Sequence, residues 1–114
     1  MVGQINDTAE LNGDGKTLLV TGWVRFDQDE RSAVMEVTVT QGEGGARANG
    51  VSGTTPMNKR AWTAEIRERH ETRKFAPGPA LAVVTATVKL KNGETEVYPE
   101  PGDEPWARYI TLVG

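Results

Sequence analysis

The chain has 114 residues, no cysteine and a formal net charge of -3 at pH 7. This length fits a single domain over residues 1–114, and the missing cysteines exclude disulfide bonds, thiolate nucleophiles and cysteine zinc sites. The mild acidity argues against a surface that follows nucleic-acid phosphates, so we expect no nucleic-acid partner. The sequence also predicts no cofactor.

The apolar runs are much shorter than the roughly 20 residues of a membrane-spanning helix, so we expect no membrane insertion. Gln4, Asn6 and Asp7 make the start of the sequence polar, and it does not form a signal peptide. We therefore expect either a cytoplasmic protein or a secreted or surface module whose signal has been removed. The sequence leaves the oligomeric state open.

The first part of the chain alternates polar and apolar residues and predicts three strands. They span residues 4–11, 17–26 and 33–41, and a glycine-rich turn separates the first two. Large apolar residues on both faces of 17–26 indicate a central strand. The glycine-broken segment 46–53 predicts a short strand at a sheet edge.

The segment 54–75 fits two patterns. In a helix, Pro56 would occupy the first turn. In a strand, Trp62, Ala64 and Ile66 would share one face, and the charged residues that follow would form a loop. The β-rich surroundings favour the strand.

The clearest element is a hairpin over residues 81–97. Its first strand places small and branched apolar residues on one face: Ala82, Val84, Ala86, Val88 and Leu90. The pair Asn92-Gly93 predicts a two-residue turn with positive φ at both positions. Three prolines over 98–105 argue against a central strand there, and alternation resumes over 106–113.

These signals predict an all-β fold of seven to eight strands, an antiparallel immunoglobulin-like sandwich, with a small β-barrel as the alternative. On strand count and length, the whole chain resembles the immunoglobulin-like and fibronectin-like β-sandwich domains of bacterial proteins. The resemblance assigns Trp62 the role of the buried tryptophan, although the cysteine pair of antibody domains is absent. It implies a scaffold for binding or display.

His70 is the only histidine and lies among charged residues. A catalytic triad would bring it to Ser32 or Ser52, but neither serine lies in a nucleophile elbow, so we expect an exposed loop histidine. The acidic stretches 27–30 and 94–104 could supply carboxylates for glycoside hydrolysis. A solvated surface is the simpler interpretation of both stretches.

Two loops offer the hard oxygen ligands that calcium prefers. Asp14 lies in the first turn, and Asp27, Asp29 and Glu30 share the next loop. Neither loop matches a complete EF-hand pattern. These four residues are the calcium candidates, and ordinary turn formation by Asn and Asp is the alternative explanation.

Trp106 is the best candidate for a partly exposed aromatic residue with a recognition role, because tryptophan is enriched where binding energy concentrates. Tyr98 and Arg108 are the other partner-binding candidates. We expect a non-catalytic binding or display module with a protein or glycan partner, or one that assembles with itself.

Two other functions stay open at this point. A small apolar-ligand carrier would have a cleft between the sheets lined by Trp23, Met35 and Phe75, and a deep apolar cavity would favour it. A small hydrolase would use His70 or the acidic loops. His70 would then lie in a cleft within reach of a serine or carboxylate.

Overall fold

The computed structural model describes residues 1–42, 45–100 and 106–114, and the fold is all-β, as the alternation predicts. In these ranges no helix is long and apolar enough to cross a membrane. The strands, in chain order, are β1 (Val2–Ile5), β2 (Thr8–Leu11), β3 (Thr17–Arg25), β4 (Glu30–Thr40), β5 (Arg47–Val51), β6 (Thr55–Pro56), β7 (Ala61–Arg67), β8 (Gly78–Leu90), β9 (Thr95–Tyr98) and β10 (Trp106–Val113).

Hydrogen bonds join these strands into a single open, mixed sheet of ten strands. The order along its main path is β1-β3-β2-β10-β8-β4-β5, and β7, β6 and β9 pair with β3, β4 and β8. The pairing of β2 with β10 is parallel, from Thr8 opposite Thr111 to Glu10 opposite Val113. The expectation of a purely antiparallel arrangement is therefore wrong at this pair.

The strand number is also higher than predicted. The expected strand over 4–11 is interrupted at residues 6–7, so that β1 pairs with β3 while β2 pairs with both β3 and β10. The short strand β6 is additional. β3 has partners on both sides, as expected of a central strand.

The segment 54–75 contains strand β7 rather than a helix. Trp62, Ala64 and Ile66 are buried, and the residues between them are exposed. This two-residue period is the one that the strand interpretation requires. The buried side chains join the inward-facing residues of β3, β4 and β8 in one apolar core.

The sheet curves, so that β5 at the end of the path lies against β7, which pairs with β3 near the start of the path. Ser52 forms an isolated bridge with Ala64 beyond the end of β5. A Cβ atom on Gly50 would lie 2.2 Å from the carbonyl oxygen of Glu65, so only glycine permits this approach. The expected edge segment 46–53 is thus paired with β4 on one side and in contact with β7 on the other.

The hairpin over 81–97 exists as β8 and β9, and its predicted apolar face is buried. Its turn differs from the expected one. Gly93 has φ +91°, whereas Asn92 has no positive φ. The Gly93 N–H donates to the Leu90 oxygen at 3.0 Å, and the Leu90 N–H donates to the Glu94 oxygen at 2.8 Å. The loop therefore has three residues and ends on a left-handed glycine, so the two-residue turn is wrong.

Candidate binding groove between β1 and β10

The rings of Tyr98 and Trp106 stack on each other. Their centroids are 6.1 Å apart and their planes differ by 11°. Both side chains are partly buried against the core, so each keeps an exposed surface. The structure therefore brings together two residues that the sequence proposes for binding, at the end of β9 and the start of β10.

Trp106 and Arg108 line a shallow groove of about 360 Å³ together with Gly3, Gln4 and Ala107. The groove lies between β1 and the first half of β10. In the described ranges β1 pairs only with β3, and β10 pairs with β8 and, at its far end, with β2. These two strands thus border the groove without a hydrogen-bonded ladder between them.

The edge of β10 that borders this groove carries backbone N–H donors. The Thr111 N–H donates to the Asp7 oxygen at 2.8 Å, on the side of β10 away from β8. Because the direction of backbone groups repeats every two residues along a strand, the N–H groups of Tyr109 and Ala107 point the same way. Among the described strand pairings, none covers them.

Arg108 connects the two borders of the groove. Its Nη1 donates a hydrogen bond of 2.7 Å to the carbonyl oxygen of Ile5, and the side chain is half-buried. A guanidinium carries more donors in a planar fork than this one bond uses. Arg108 can therefore hold its position on β1 and still donate to a ligand.

Gln4 extends the groove towards a second tryptophan. The Trp23 Nε1–H donates to Gln4 Oε1 at 3.3 Å, and Gln4 and Trp23 are register partners across β1 and β3. Trp23 is 41% exposed. The sequence associates Trp23 with an interior cleft, whereas the structure places it on the surface beside Gln4.

An acidic residue borders the aromatic pair. The Tyr98 hydroxyl donates to Glu96 Oε2 at 2.7 Å. This hydrogen bond, with burial and the negative charge of Glu96, raises the pKa of Tyr98 above its usual range. The phenol therefore stays protonated, and it serves as a donor to Glu96.

The apolar interior behind Trp106 leaves little space. The cavity there has a volume of about 20 Å³ and contacts Ile5, Met35, Trp62 and Val84. A ligand pocket typically measures about 300–1,000 Å³, whereas this cavity is close to the size of one water. Met35 and Phe75 are buried in the core, and Trp23 is exposed, so the three do not line one cleft.

The calcium candidates make contacts within the protein. Asp14 Oδ1 accepts the Lys16 N–H at 2.9 Å, which is ordinary turn formation. Asp27 Oδ2 lies 2.8 Å from the amino group of Met1, and its hydrogen bond to this group lowers the pKa of Asp27. Asp29 accepts the Lys91 N–H through its backbone oxygen at 2.9 Å.

Glu30 is the most unusual of these residues, because its carboxylate is buried. Its Oε1 accepts the Asp27 N–H at 2.6 Å and lies 3.3 Å from the Met1 amino group. Its Oε2 has no hydrogen-bond partner among the described residues. In the same ranges no three His, Cys, Asp or Glu residues are grouped as a metal site. Calcium binding stays a prediction.

His70 lies on the loop after β7 and is exposed. Its Nδ1 accepts the Thr72 N–H at 3.3 Å and lies 3.1 Å from the Thr72 hydroxyl. Ser52 is buried, and its hydroxyl accepts the Met35 N–H and donates to the Gly53 oxygen. Neither residue is arranged for nucleophilic catalysis. Of the acidic stretch 94–104, residues 101–104 lie outside the described ranges.

Sequence reasoning proposes Trp106, Tyr98 and Arg108, but it misses Gly3, Gln4 and the role of Trp23 beside the groove. The polar residues at the start of the chain carry no binding signal of their own. Comparison with known proteins adds no candidate, since no protein-family model and no curated protein matches this sequence.

Proposed function

We propose that this chain is a non-catalytic binding module and that the groove between β1 and β10 accepts an extended peptide of a protein partner. The observation that carries the proposal is the backbone edge of β10 beside the stacked pair Tyr98–Trp106, which no described strand covers along Ala107 and Tyr109. An added strand would receive main-chain hydrogen bonds from this edge, and its alternate side chains would contact the aromatic rings.

The side chains around the groove support the same class of ligand. Arg108 has more donors than its one hydrogen bond to a described residue uses and can offer them to peptide carbonyl groups, and Gln4 offers an amide at the opposite border. Aromatic and arginine side chains dominate the binding energy of many interfaces. A glycan could also stack on Trp106, but it lacks the regularly spaced carbonyl groups with which an added strand would match the backbone donors of Ala107 and Tyr109.

The arrangement of the strands also supports an immunoglobulin-like sandwich. The strands β1, β3 and β7 would form one layer, and β10, β8, β4 and β5 the other. In this scheme β2 passes between the layers, which agrees with its antiparallel pairing to β3 and its parallel pairing to β10. Trp62 is buried, as the resemblance implies.

The proposal is tested by displaying random peptides and arrayed oligosaccharides to the purified chain. We expect extended peptides to be selected and to shift the amide resonances of Ala107 and Tyr109. Trp106→Ser should weaken the selected peptides about tenfold or more, as expected for an interface aromatic. Tyr109→Ser is the matched control, because its side chain lies on the same strand but points to the opposite face.

A second variant, with stability measurements, distinguishes loss of the binding contact from loss of the fold. Arg108→Gln removes the guanidinium donors while keeping a polar side chain, and thermal melting of each variant measures its stability. Selection of sugars instead of peptides would replace the peptide proposal by glycan binding. Selected ligands that bind equally to the Trp106→Ser variant would overturn the groove as the site.

A further inference from the structure

Arg108 is a half-buried cation without an anionic partner in the part of the chain that the structure describes. Its one hydrogen bond there goes to a neutral acceptor, the carbonyl oxygen of Ile5. Both ion pairs found in the same ranges are formed by the amino group of Met1. Charged groups that leave water are usually paired, because the lost solvation has to be replaced. The groove therefore holds a positive charge that a ligand can neutralise.

The other polar groups at the groove are also hydrogen-bond donors. The N–H groups of Ala107 and Tyr109 lie along the edge of β10. At the opposite border, Gln4 Oε1 already accepts the Trp23 Nε1–H, so this side chain contributes its amide N–H groups. Of the described residues that line the groove, Arg108 alone is charged. A set of donors around one cation favours an anionic acceptor over a neutral one.

The guanidinium of Arg108 has the geometry that a carboxylate requires. Its bond to Ile5 uses one hydrogen of Nη1, whereas Nε and Nη2 make no hydrogen bond to a described residue. This edge of the planar group matches the two oxygens of a carboxylate in a paired, charge-assisted contact. A carboxylate therefore fits the site better than a single carbonyl oxygen does.

The open edge of β10 is closed at one end. The Thr111 N–H donates to the Asp7 oxygen, and β2 pairs with β10 from Thr111 onward. From Trp106 to Tyr109 the edge measures about 10 Å at roughly 3.3 Å per residue, which is room for about three extended residues. An added strand must therefore end beside Tyr109 or leave the sheet, and a chain terminus ends there without a turn. Because the charge beside this closed end is the cation Arg108, the terminus that fits is a carboxyl group rather than an amino group.

We propose that the groove binds the C-terminal carboxylate of its peptide ligand at Arg108. This inference rests on the proposed function, because it names the part of the peptide that the groove recognises. The ligand would run parallel to β10, as β2 does beyond it, so that its last residue meets the closed end. Its carboxylate would accept hydrogen bonds from Nε and Nη2 of Arg108 and from the amide of Gln4. The carbonyl groups that precede it would accept from the backbone of Ala107 and Tyr109.

The proposal is tested with an array of short random peptides, each attached through its N-terminus and made both as the free acid and as the C-terminal amide. We expect the free acids to bind about tenfold more tightly than the matching amides, because the amide cannot form the charge-assisted pair. In Arg108→Gln this preference should disappear. Arg67→Gln is the matched control, because it makes the same change on the exposed side of β7 and should retain the preference.

A further variant covers the possibility that Arg108→Gln does not fold, which thermal melting measures. Arg108→Lys keeps the charge but not the planar fork, so it should reduce the preference for free acids without abolishing it. A preference in both variants equal to that of the unchanged chain would overturn the role of Arg108.

The array also separates failure of this inference from failure of the proposed function. Peptides that bind equally as acids and amides, but that require Trp106, would overturn the terminal carboxylate and leave the peptide groove in place. Selection of acidic side chains within the peptides, with amides bound as tightly as acids, would overturn the terminal assignment as well. Finding no peptide that depends on Trp106 would overturn the proposed function itself, and this inference with it.

Discussion

Trp62 and Gly22 are register partners across β7 and β3, and the indole covers the space that a side chain on Gly22 would fill. A Cβ atom at this position would lie 2.4 Å from Cε2 and Cζ2 of the ring and 2.4 Å from the carbonyl oxygen of Gln4. Gly22 therefore leaves room for the buried indole of Trp62 and allows β1 to approach β3 at the groove.

Replacing this glycine should destabilise the fold. We expect Gly22→Ala to lower the free energy of unfolding by about 1–3 kcal/mol, because overpacking forces the ring or β1 to move. Urea denaturation measures the effect. Gly13→Ala is the control, since no atom lies within 4 Å of a Cβ there and its φ is not positive. Equal stability of the two variants would contradict this account of the contact.

The buried carboxylate of Glu68 should make stability depend on acid pH. It accepts the Arg47 N–H at 2.8 Å and the His70 N–H at 2.9 Å. Burial alone would raise its pKa, but these hydrogen bonds and the charges of Arg73 and Lys16 outweigh burial and lower the pKa of Glu68. The folded state therefore favours the ionised form.

The direction in which stability changes with pH follows from this lowered pKa of Glu68. The stabilisation is complete above the ordinary pKa of a glutamate, about 4.3, and is lost as the pH falls through the lower folded value. Glu68→Gln should cost about 2 kcal/mol at neutral pH and remove part of the acid dependence. Denaturation across the acid range measures both effects. The exposed Glu65→Gln serves as control, and an unchanged acid profile in Glu68→Gln would contradict the assignment.

Lys16 anchors the loop that follows β7. Its ammonium donates to the backbone oxygens of His70, Glu71 and Arg73, the last at 2.6 Å. We expect Lys16→Met to accelerate amide exchange throughout residues 69–74 with little loss of global stability, because exposed loops open locally. Hydrogen exchange measured by NMR tests this, with Lys59→Met as control. Unchanged protection of the loop would show that other contacts hold it.

The Tyr98 phenol should respond to its acidic neighbour. Because the hydrogen bond to Glu96 is the main cause of its raised pKa, Glu96→Gln should lower that pKa. Stability linked to Tyr98 is present below the ordinary value of about 10 and is lost as the pH rises through the folded value. Ultraviolet titration in a Tyr109→Phe background measures the shift. Glu94→Gln is the control, because Glu94 lies outside the Glu96–Tyr98 pair, and it should lower the pKa of Tyr98 less than Glu96→Gln does.

Local pattern predicts much of this fold. The apolar face of β8 and the period of β7 are visible in the sequence, because burial on one side of a strand imposes alternation. The two-residue strand β6 is too brief to show it. The turn at Asn92-Gly93 also differs, because the dipeptide suits both a two-residue loop and a longer loop that ends on glycine.

The groove is only partly predictable for a different reason. Trp106 is suggested by its flanking residues, but its neighbours Gln4 and Gly3 come from the opposite end of the chain. Arg108 and Ile5, which close one side, are 103 positions apart. The parallel pairing of β2 with β10 that aligns these segments leaves no local sign, since it depends on the path of the whole chain.

That same parallel pairing has a consequence for how the chain folds. Residues near position 8 must find residues near position 111, and loop-closure entropy opposes such distant contacts until nearer ones have shortened the search. We therefore expect the β8–β9 hairpin to form early and β2 to pair with β10 late. During synthesis, the groove therefore takes shape only after β10 has left the ribosome.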